Sequence, residues 1–333
     1  MLISVDEVAD TSLALLAGAG VPGDAAELQV DLLVEAELRG HPSHGLLRLP
    51  RILERIANGV ASPTARGLHA WRGPALLEVD GQAGLGPVVA TGALDAISAR
   101  ARTSGVACAV ITASNHLGML AWYAERVARG GQLVLGVTTS EALVRPWGGA
   151  AAMVGSNPLT IGVPAVPEPL VLDMATAAVS MGKIHDYANR KIPLQPGWAV
   201  DESGQATLDP ERAKAGAISP FGGPKGYGLG IAIEALVGAL SGCALGRDVA
   251  GTLDSVHPVT KGDVFVVIQP PGPGREHELG RYFDDVRSSP RSDPDNPIYV
   301  PGDRARRRRA VAAGRGIDVP DELWARLRAG VRA

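Results

Sequence analysis

The sequence predicts an α/β fold with a mixed sheet and a helical lobe built from both chain ends. Three observations predict it. Apolar residues recur at helical spacing through residues 5–38, and helical spacing returns after Arg304. Between these ends, short apolar runs at 75–80, 106–112, 133–139, 160–164, 170–174 and 264–269 read as strands, several of them separated by helical stretches. Some connections are shorter than the roughly twelve residues a parallel crossover needs, so the sheet is expected to be mixed.

Taken in order, residues 5–38 form two helices separated by Val21-Pro-Gly-Asp24, with Asp24 as the second helix's N-cap. Ser43 is expected to cap a third helix through Leu47, Ile52, Leu53 and Ile56, with Gly59 as its C′ residue. Pro50 falls inside that pattern, so the helix must kink or restart there. Ala75–Asp80 is strand-like and Pro87–Thr103 an alanine-rich helix. Val106–Thr112 is a buried strand, Leu117–Arg129 a helix and Leu133–Thr139 another strand. Val264–Gln269 adds a late strand. Arg304–Ala333 returns to helix, with Leu323, Trp324 and Leu327 as its apolar contacts. The expected division is residues 1–65 with 304–333 as the helical lobe and 66–303 as the α/β body.

The 333 residues suit one large or two ordinary domains; 46% hydrophobic and 20% charged residues describe a globular chain. The net charge of −3 favours no nucleic-acid partner. Cys108 and Cys243 sit in apolar company and are expected as buried free thiols of the reducing cytoplasm. The acidic start lacks the basic region of a signal peptide. The longest apolar run, Tyr227–Leu240, falls short of the roughly 18–20 residues of a membrane span. A soluble cytoplasmic protein with no membrane partner is expected.

Dinucleotide fingerprints are absent: no Gly-x-Gly-x-x-Gly follows a strand, and no Gly-x-x-x-x-Gly-Lys-Ser/Thr occurs. In their place stands Gly222-Gly-Pro-Lys-Gly-Tyr-Gly-Leu-Gly-Ile-Ala-Ile-Glu-Ala-Leu-Val-Gly238, a glycine turn with one lysine leading into an apolar helix. Helix-start amides and an ammonium suit an anionic phosphate. The bland alternative is a close-packed helix with Lys225 merely solvated. Ser156, Asn157, Asp173 and Thr176 lie in turns beside strand ends, where α/β proteins place ligands and where Asn and Asp also simply cap turns.

The stretch Arg39-Gly-His-Pro-Ser-His-Gly-Leu-Leu-Arg-Leu-Pro50 crowds together side chains that packing alone rarely asks for. His44 stands at a candidate helix start, and His116 follows a buried strand, well placed to trade a proton near neutral pH. His41 and His44 lack the further ligands zinc wants, so no metal is expected. The basic run Arg304–Arg309 reads first as a solvated face, with nucleic-acid binding and a 2′-phosphate contact left open.

Nine segments in order resemble the type 2 malate/L-lactate dehydrogenases. They are Arg39–Arg48, His116-Leu-Gly, Thr138-Thr-Ser-Glu, Gly155-Ser-Asn-Pro, Asp173-Met-Ala-Thr, Gly182-Lys, Gly197–Asp201, Lys225-Gly-Tyr-Gly-Leu and Pro301-Gly-Asp303. That family includes ureidoglycolate and sulfolactate dehydrogenases and cyclic imino acid reductases. The resemblance implies a non-Rossmann, mixed-sheet NAD(P)-binding domain, a homodimer and a small-molecule substrate. It implies His44 or His116 as proton donor or acceptor, with Ser43, Arg48, Asn157 and Thr160 on the substrate side. Ser140, Asp173, Met174, Ala175, Thr176, Lys225, Gly226, Gly302 and Asp303 would line NAD or NADP.

Four departures stand out: Ser156 where the family has threonine, Ala177 for a common serine, Asp303 for a glutamate, and a short, proline-rich segment from Pro270 to Pro301 at the expected cofactor edge. The expected activity is hydride transfer between a nicotinamide and C2 of a 2-hydroxy/2-oxo acid, the histidine handling the proton. The alternatives are a reductase of piperideine- or pyrroline-2-carboxylate, a non-catalytic protein that kept the fold and, as an outsider, a metal-dependent hydrolase.

Overall fold

The computed structural model describes residues 1–272 and 274–332. Pro273, in the proline-rich stretch 270–301, and Ala333, at the end of the expected C-terminal helix, lie outside the described residues. In chain order the elements begin with β1 (Leu2–Ile3), α1 (Val5–Gly18), α2 (Gly23–Leu38) and α3 (Leu49–Ala57). There follow β2 (Leu68–Trp71), β3 (Leu76–Asp80), α4 (Gly86–Ser104), β4 (Val106–Thr112), α5 (Leu120–Arg129) and β5 (Leu133–Thr138). Next come β6 (Ala142–Val144), β7 (Val154–Gly155), β8 (Leu159–Val163), β9 (Leu170–Met174), α6 (Met181–Asn189), β10 (Ala199–Val200) and α7 (Pro210–Ala215). The last are β11 (Ala217–Ile218), α8 (Pro224–Ser241), β12 (Gly262–Ile268), α9 (Glu276–Ser288), α10 (Asp303–Arg315), β13 (Ile317–Asp318) and α11 (Asp321–Arg332).

A seven-stranded sheet runs β2-β3-β4-β12-β5-β8-β9. β2 pairs antiparallel and β4 parallel with β3, so the sheet is mixed. The chain divides into two compact units. The first comprises 1–136, 160–173 and 265–333, and the second 137–159 and 174–264.

In the first unit, the alternating inward side chains of β3 and β4 (Leu77, Val79, Ala107, Ala109, Ile111) meet Val89, Ala93, Leu94 and Ile97 of α4 and Leu32 of α2. The core is mainly aliphatic; its buried Tyr123 hydroxyl donates to the Leu117 carbonyl at 2.6 Å. A second core joins the chain ends: Val8, Leu15 and Leu16 of α1 pack with Val319, Trp324 and Leu327. β1 pairs antiparallel with β13 beside it. In the second unit a four-stranded sheet runs β10-β11-β6-β7, with Ile184, Leu194 and Ala213 in its core.

Several local expectations give way. Ser43 does not cap a helix; Pro42–His44 and Leu46–Arg48 are separate 3-10 turns, and α3 begins only at Leu49. Pro50 therefore falls in a first turn, where its missing N–H costs nothing, and no kink is needed. Asp24 is not the N-cap of α2 either. It lies inside the first turn, and its carboxylate accepts 2.7 Å hydrogen bonds from Arg66. Gly59, at φ +72°, follows α3 in the left-handed conformation that suits glycine. The C-terminal stretch is two helices split by β13, because Gly316 at φ +93° ends the first. Both cysteines are free and half-buried rather than buried.

Candidate active site

The histidine wall of the first unit is assembled by backbone contacts. The rings of His44 and His116 stack at 5.6 Å between centroids, 26° from parallel. Ser43 Oγ lies 3.0 Å from His44 Nδ1, and Arg48 Nε donates to the Ser43 carbonyl at 2.7 Å, closing the turn on itself. Burial, reinforced by the Arg48 and His41 charges, depresses the His44 pKa to about 3, so this ring is neutral throughout the physiological range. In His116, Nδ1 accepts the Gly118 N–H at 3.1 Å. The neutral ring accordingly carries its proton on Nε2.

Two residues behind this wall escaped sequence reasoning. Asn115 is 6% exposed. Its amide donates to the Ala83 carbonyl at 2.6 Å, while its oxygen accepts from Arg55 Nε at 2.8 Å. That crosslink fixes the loop carrying His116. Glu37 of α2 accepts the Leu46 N–H at 2.7 Å, and its carboxyl fills the place a Cβ on Gly45 would take. Burial lifts the Glu37 pKa to about 7. Neither partnership has a local sequence signal, because each joins groups far apart in the pattern that defines the helices.

Asp173 is crowded by surrounding protein yet open to solvent. Its carboxylate accepts the Ala121 N–H at 2.7 Å and so caps α5, which has no side-chain cap of its own. Its surroundings push the pKa up to about 6, against the pull of the Ala121 and Leu120 N–H groups. Asp303 is held otherwise. Burial would raise its pKa, but hydrogen bonds from Arg287, the Val300 N–H and Arg306 bring it down to about 2. Gly302, at φ +100°, precedes it and leaves room for the Arg306 guanidinium. Thr160 is fully buried, its hydroxyl donating to the Leu172 carbonyl at 2.7 Å.

In the second unit, Ser140 Oγ accepts the Ser156 N–H at 2.9 Å, and Thr176 donates its N–H and hydroxyl to the Ser156 carbonyl. Asn157 is fully buried at φ +31°. Its oxygen accepts from the Ser140 N–H, and its amide donates to the Gly230 carbonyl and to Glu234. Glu234 of α8, itself 6% exposed, also accepts the N–H groups of Gly155 and Gly246. Asn157 and Thr160 thus spend their polar atoms inside the protein. Met174 ends β9 and Ala175 leads from it into Thr176, both half-buried.

Lys225 is exposed in the first turn of α8, after Gly222 at φ +54° and Gly223 at φ +64°, and pairs with no carboxylate among the described residues. Gly226 packs so closely on the Phe221 carbonyl that no side chain fits there. A lysine beside helix-start amides without an acid to neutralise them fits a phosphate group. Among the described residues no group of three or more His, Cys, Asp and Glu side chains is placed to hold a metal, and no helix is long and apolar enough to cross a membrane.

The chain belongs to the malate/L-lactate dehydrogenase family, whose match spans residues 3–328. That membership places it among the 2-hydroxy acid dehydrogenases.

Its relatives include the L-sulfolactate dehydrogenase of Methanocaldococcus jannaschii, 33% identical over 312 residues, 93% of this chain and 90% of that one. The ureidoglycolate dehydrogenase (NAD(+)) of Escherichia coli is 32% identical over 93% of this chain and 90% of its own. The (2R)-3-sulfolactate dehydrogenase (NADP(+)) of Chromohalobacter salexigens is 34% identical over 74% of each. A solved dehydrogenase from Sinorhizobium meliloti superposes with a TM-score of 0.96 at 51% identity, covering 99% of this chain and 98% of that one. The Δ1-piperideine-2-carboxylate reductase of Pseudomonas syringae superposes at 0.88 with 26% identity, covering 99% of each.

Proposed function

We propose that the protein transfers hydride between NAD or NADP and C2 of a small 2-hydroxy/2-oxo acid, with His116 as the proton donor or acceptor. The observation that carries this is the Gly118 N–H on His116 Nδ1, which leaves a proton on Nε2. A neutral imidazole N–H donates a hydrogen bond to a developing alkoxide in the reduction direction; taking up a proton in the oxidation direction requires a bare Nε2, with the ring proton moved to Nδ1 and the Gly118 contact released. His44, held neutral, stacks on that ring and sets its plane. The bound nicotinamide supplies or takes up the hydride.

Arg48 and Ser43 bind the substrate in this reading, the guanidinium engaging its carboxylate as a fork. Asn157 and Thr160 serve the substrate side from behind, by holding the turns their hydrogen bonds define. Lys225 and Gly226 take cofactor phosphate, while Ser140, Asp173, Met174, Ala175, Thr176, Gly302 and Asp303 shape its surroundings. By role, residues 1–65 with 304–333 form a substrate lobe and 66–303 a cofactor body. This partition cuts across the compact units. A homodimer working in the cytoplasm completes the proposal. NAD is named for the E. coli relative and NADP for the C. salexigens one, and the choice here is part of the test.

A second reading, reduction of a cyclic imino acid, is favoured by the superposition on the piperideine-2-carboxylate reductase. The acceptor is then C=N, already activated when protonated. The test follows absorbance at the nicotinamide band with NADH and NADPH against pyruvate, oxaloacetate, sulfopyruvate, oxalurate, diketogulonate and the two cyclic imines. Turnover of an open-chain oxo acid is the expected result. Turnover of the cyclic imines alone moves the enzyme to the second reading, and silence with every acceptor overturns both.

A further inference from the structure

The basic run that opens α10 divides into two faces with opposite fates. On one face Arg306 is bound to Asp303 and the Pro169 carbonyl, and Arg309 to Glu35. These arginines line a cleft of about 580 Å³ whose other guanidinium groups, Arg39, Arg126 and Arg129, are likewise paired, with Glu125, Asp95 and Glu168. Every guanidinium there has a carboxylate partner.

On the other face Arg304, Arg308 and Arg315 meet no carboxylate among the described residues, although they line a larger cavity of about 1070 Å³. Arg304 lies over the Tyr299 ring, 5.0 Å from its centroid, and Arg307 donates to the Tyr299 hydroxyl at 2.9 Å. The cavity's acids are already engaged. Glu37 accepts the Leu46 N–H, and Asp318 accepts from the Met1 ammonium. Four guanidinium groups therefore line the cavity beside two acids, Glu37 and Asp318, and none of the four is ion-paired to either, in a chain whose net charge is −3.

The four side chains are exposed, and like charges three and four residues apart on a helix repel. Here they border a concavity of the size that holds a metabolite or nucleotide. Its floor is the back of the histidine wall. Gly40 and Pro42 line it, and the Arg308 side chain packs so closely on Gly40 that a Cβ there would stand 2.9 Å from it. A rigid fork presenting several N–H groups matches the oxygens of a phosphate or a carboxylate bidentately, and several forks together favour an anion of more than one charge. Tyr299 adds a ring face and a hydroxyl, so the surface offers both stacking and hydrogen bonding.

We propose that this arginine cavity of the first unit is a binding site for a phosphate-bearing anion of two or more negative charges. The phosphate can belong to the cofactor, as the additional phosphate that separates NADP from NAD, or to a separate phosphorylated metabolite. Binding needs no step of the hydride reaction, so its test is independent of the proposed activity.

Inorganic pyrophosphate is titrated by calorimetry into the whole wild-type protein, into Arg304→Met/Arg308→Met, and into Arg326→Met as a control. Arg326 pairs with Glu54 at 2.6 Å away from the cavity, and none of these exposed side chains is part of a core. The expected result is binding to wild type and control that weakens as salt rises, and an affinity at least about tenfold lower in the double variant. Repeating the titration with saturating NADP+ or NAD+ identifies the source. Loss of pyrophosphate binding with NADP+ alone assigns the site to the cofactor's additional phosphate, and binding undisturbed by either assigns it to a separate anion. No binding to wild type, or equal binding to the double variant, overturns the proposal.

Discussion

The histidine wall of the first unit and the glycine-lysine turn of the second are built on opposite principles. At the wall, every side chain proposed to act is pinned by a named partner: His44 by Ser43, His116 by Gly118, and the loop behind by Asn115 and Arg55. At the turn the side chains are small or absent, and backbone amides do the presenting, with Lys225 the one exposed charge. Proton transfer needs one tautomer at one atom, whereas an anion cradle needs room and several weak donors. The first should therefore fail sharply on substitution and the second gradually.

The sharpest break is His116→Asn. If Nε2–H is the proton carrier, kcat should fall by roughly 10²–10⁴-fold with the fold intact. His44→Asn should cost less and should leave the acid limb of the pH–rate profile where it is. A ring with its pKa near 3 cannot be the group titrating near neutrality. Steady-state kinetics from pH 5 to 9 check this, and an acid limb that vanishes with His44 would reverse the assignment.

The next effect concerns what holds the wall up. Arg39 caps the end of α2 two residues before His41, and its guanidinium is buried between Glu35 and Glu125 of α5. At its other end α5 holds Asp173 through the Ala121 N–H. Removing one buried partner leaves an uncompensated charge, so Arg39→Met should destabilise by about 3 kcal/mol, softened by Arg129 and Arg309. Arg39→Met/Glu125→Met should recover most of that stability yet keep a kcat below wild type. Denaturant unfolding alongside kinetics separates the two, and a double variant with full turnover would make the pair purely structural.

Much of this architecture is legible in the residues themselves, and what is not has a common cause. Periodicity reveals the helices at both ends and the strands between, because burial of one face is written locally into each element. The crowding of His41, Ser43, His44 and Arg48 likewise marks a wall by residue type and spacing alone. What stays hidden are partnerships across the chain. Arg39 and Glu125 are 86 residues apart, Asp173 caps a helix 52 residues away, and Glu234 gathers donors from Gly155, Asn157 and Gly246. Ser43 looks like an N-cap because its position suits one. The Arg48 bond to its carbonyl instead shapes a tight turn. Asp173 and Asp303 read as ligand-facing carboxylates, and nothing local announces that their oxygens are occupied.

At the cradle, the backbone principle predicts a modest loss. Lys225→Met removes one exposed cation and leaves the amides, so the cofactor KM should rise by about tenfold while kcat holds. Gly226→Val, by contrast, drives a side chain into the Phe221 carbonyl and should reduce soluble, folded protein. If Lys225→Met instead abolishes turnover at saturating cofactor, the turn behaves like the wall and the contrast collapses.

The smallest expected effect lies beneath the wall and depends on pH. Glu37 has a folded pKa of about 7, well above an ordinary carboxylate, so the folded state binds its proton more tightly than the unfolded chain does. Its contribution is fully present below about pH 4.5 and is lost as pH rises through 7. Glu37→Gln mimics the protonated form and keeps an oxygen for the Leu46 N–H. At pH 8 the variant should melt a few degrees above wild type, and at pH 4.5 the two should coincide. Melting curves across that range decide it. A difference of the opposite sign would mean that the ionised carboxylate, not the neutral one, supports the turn that carries His44.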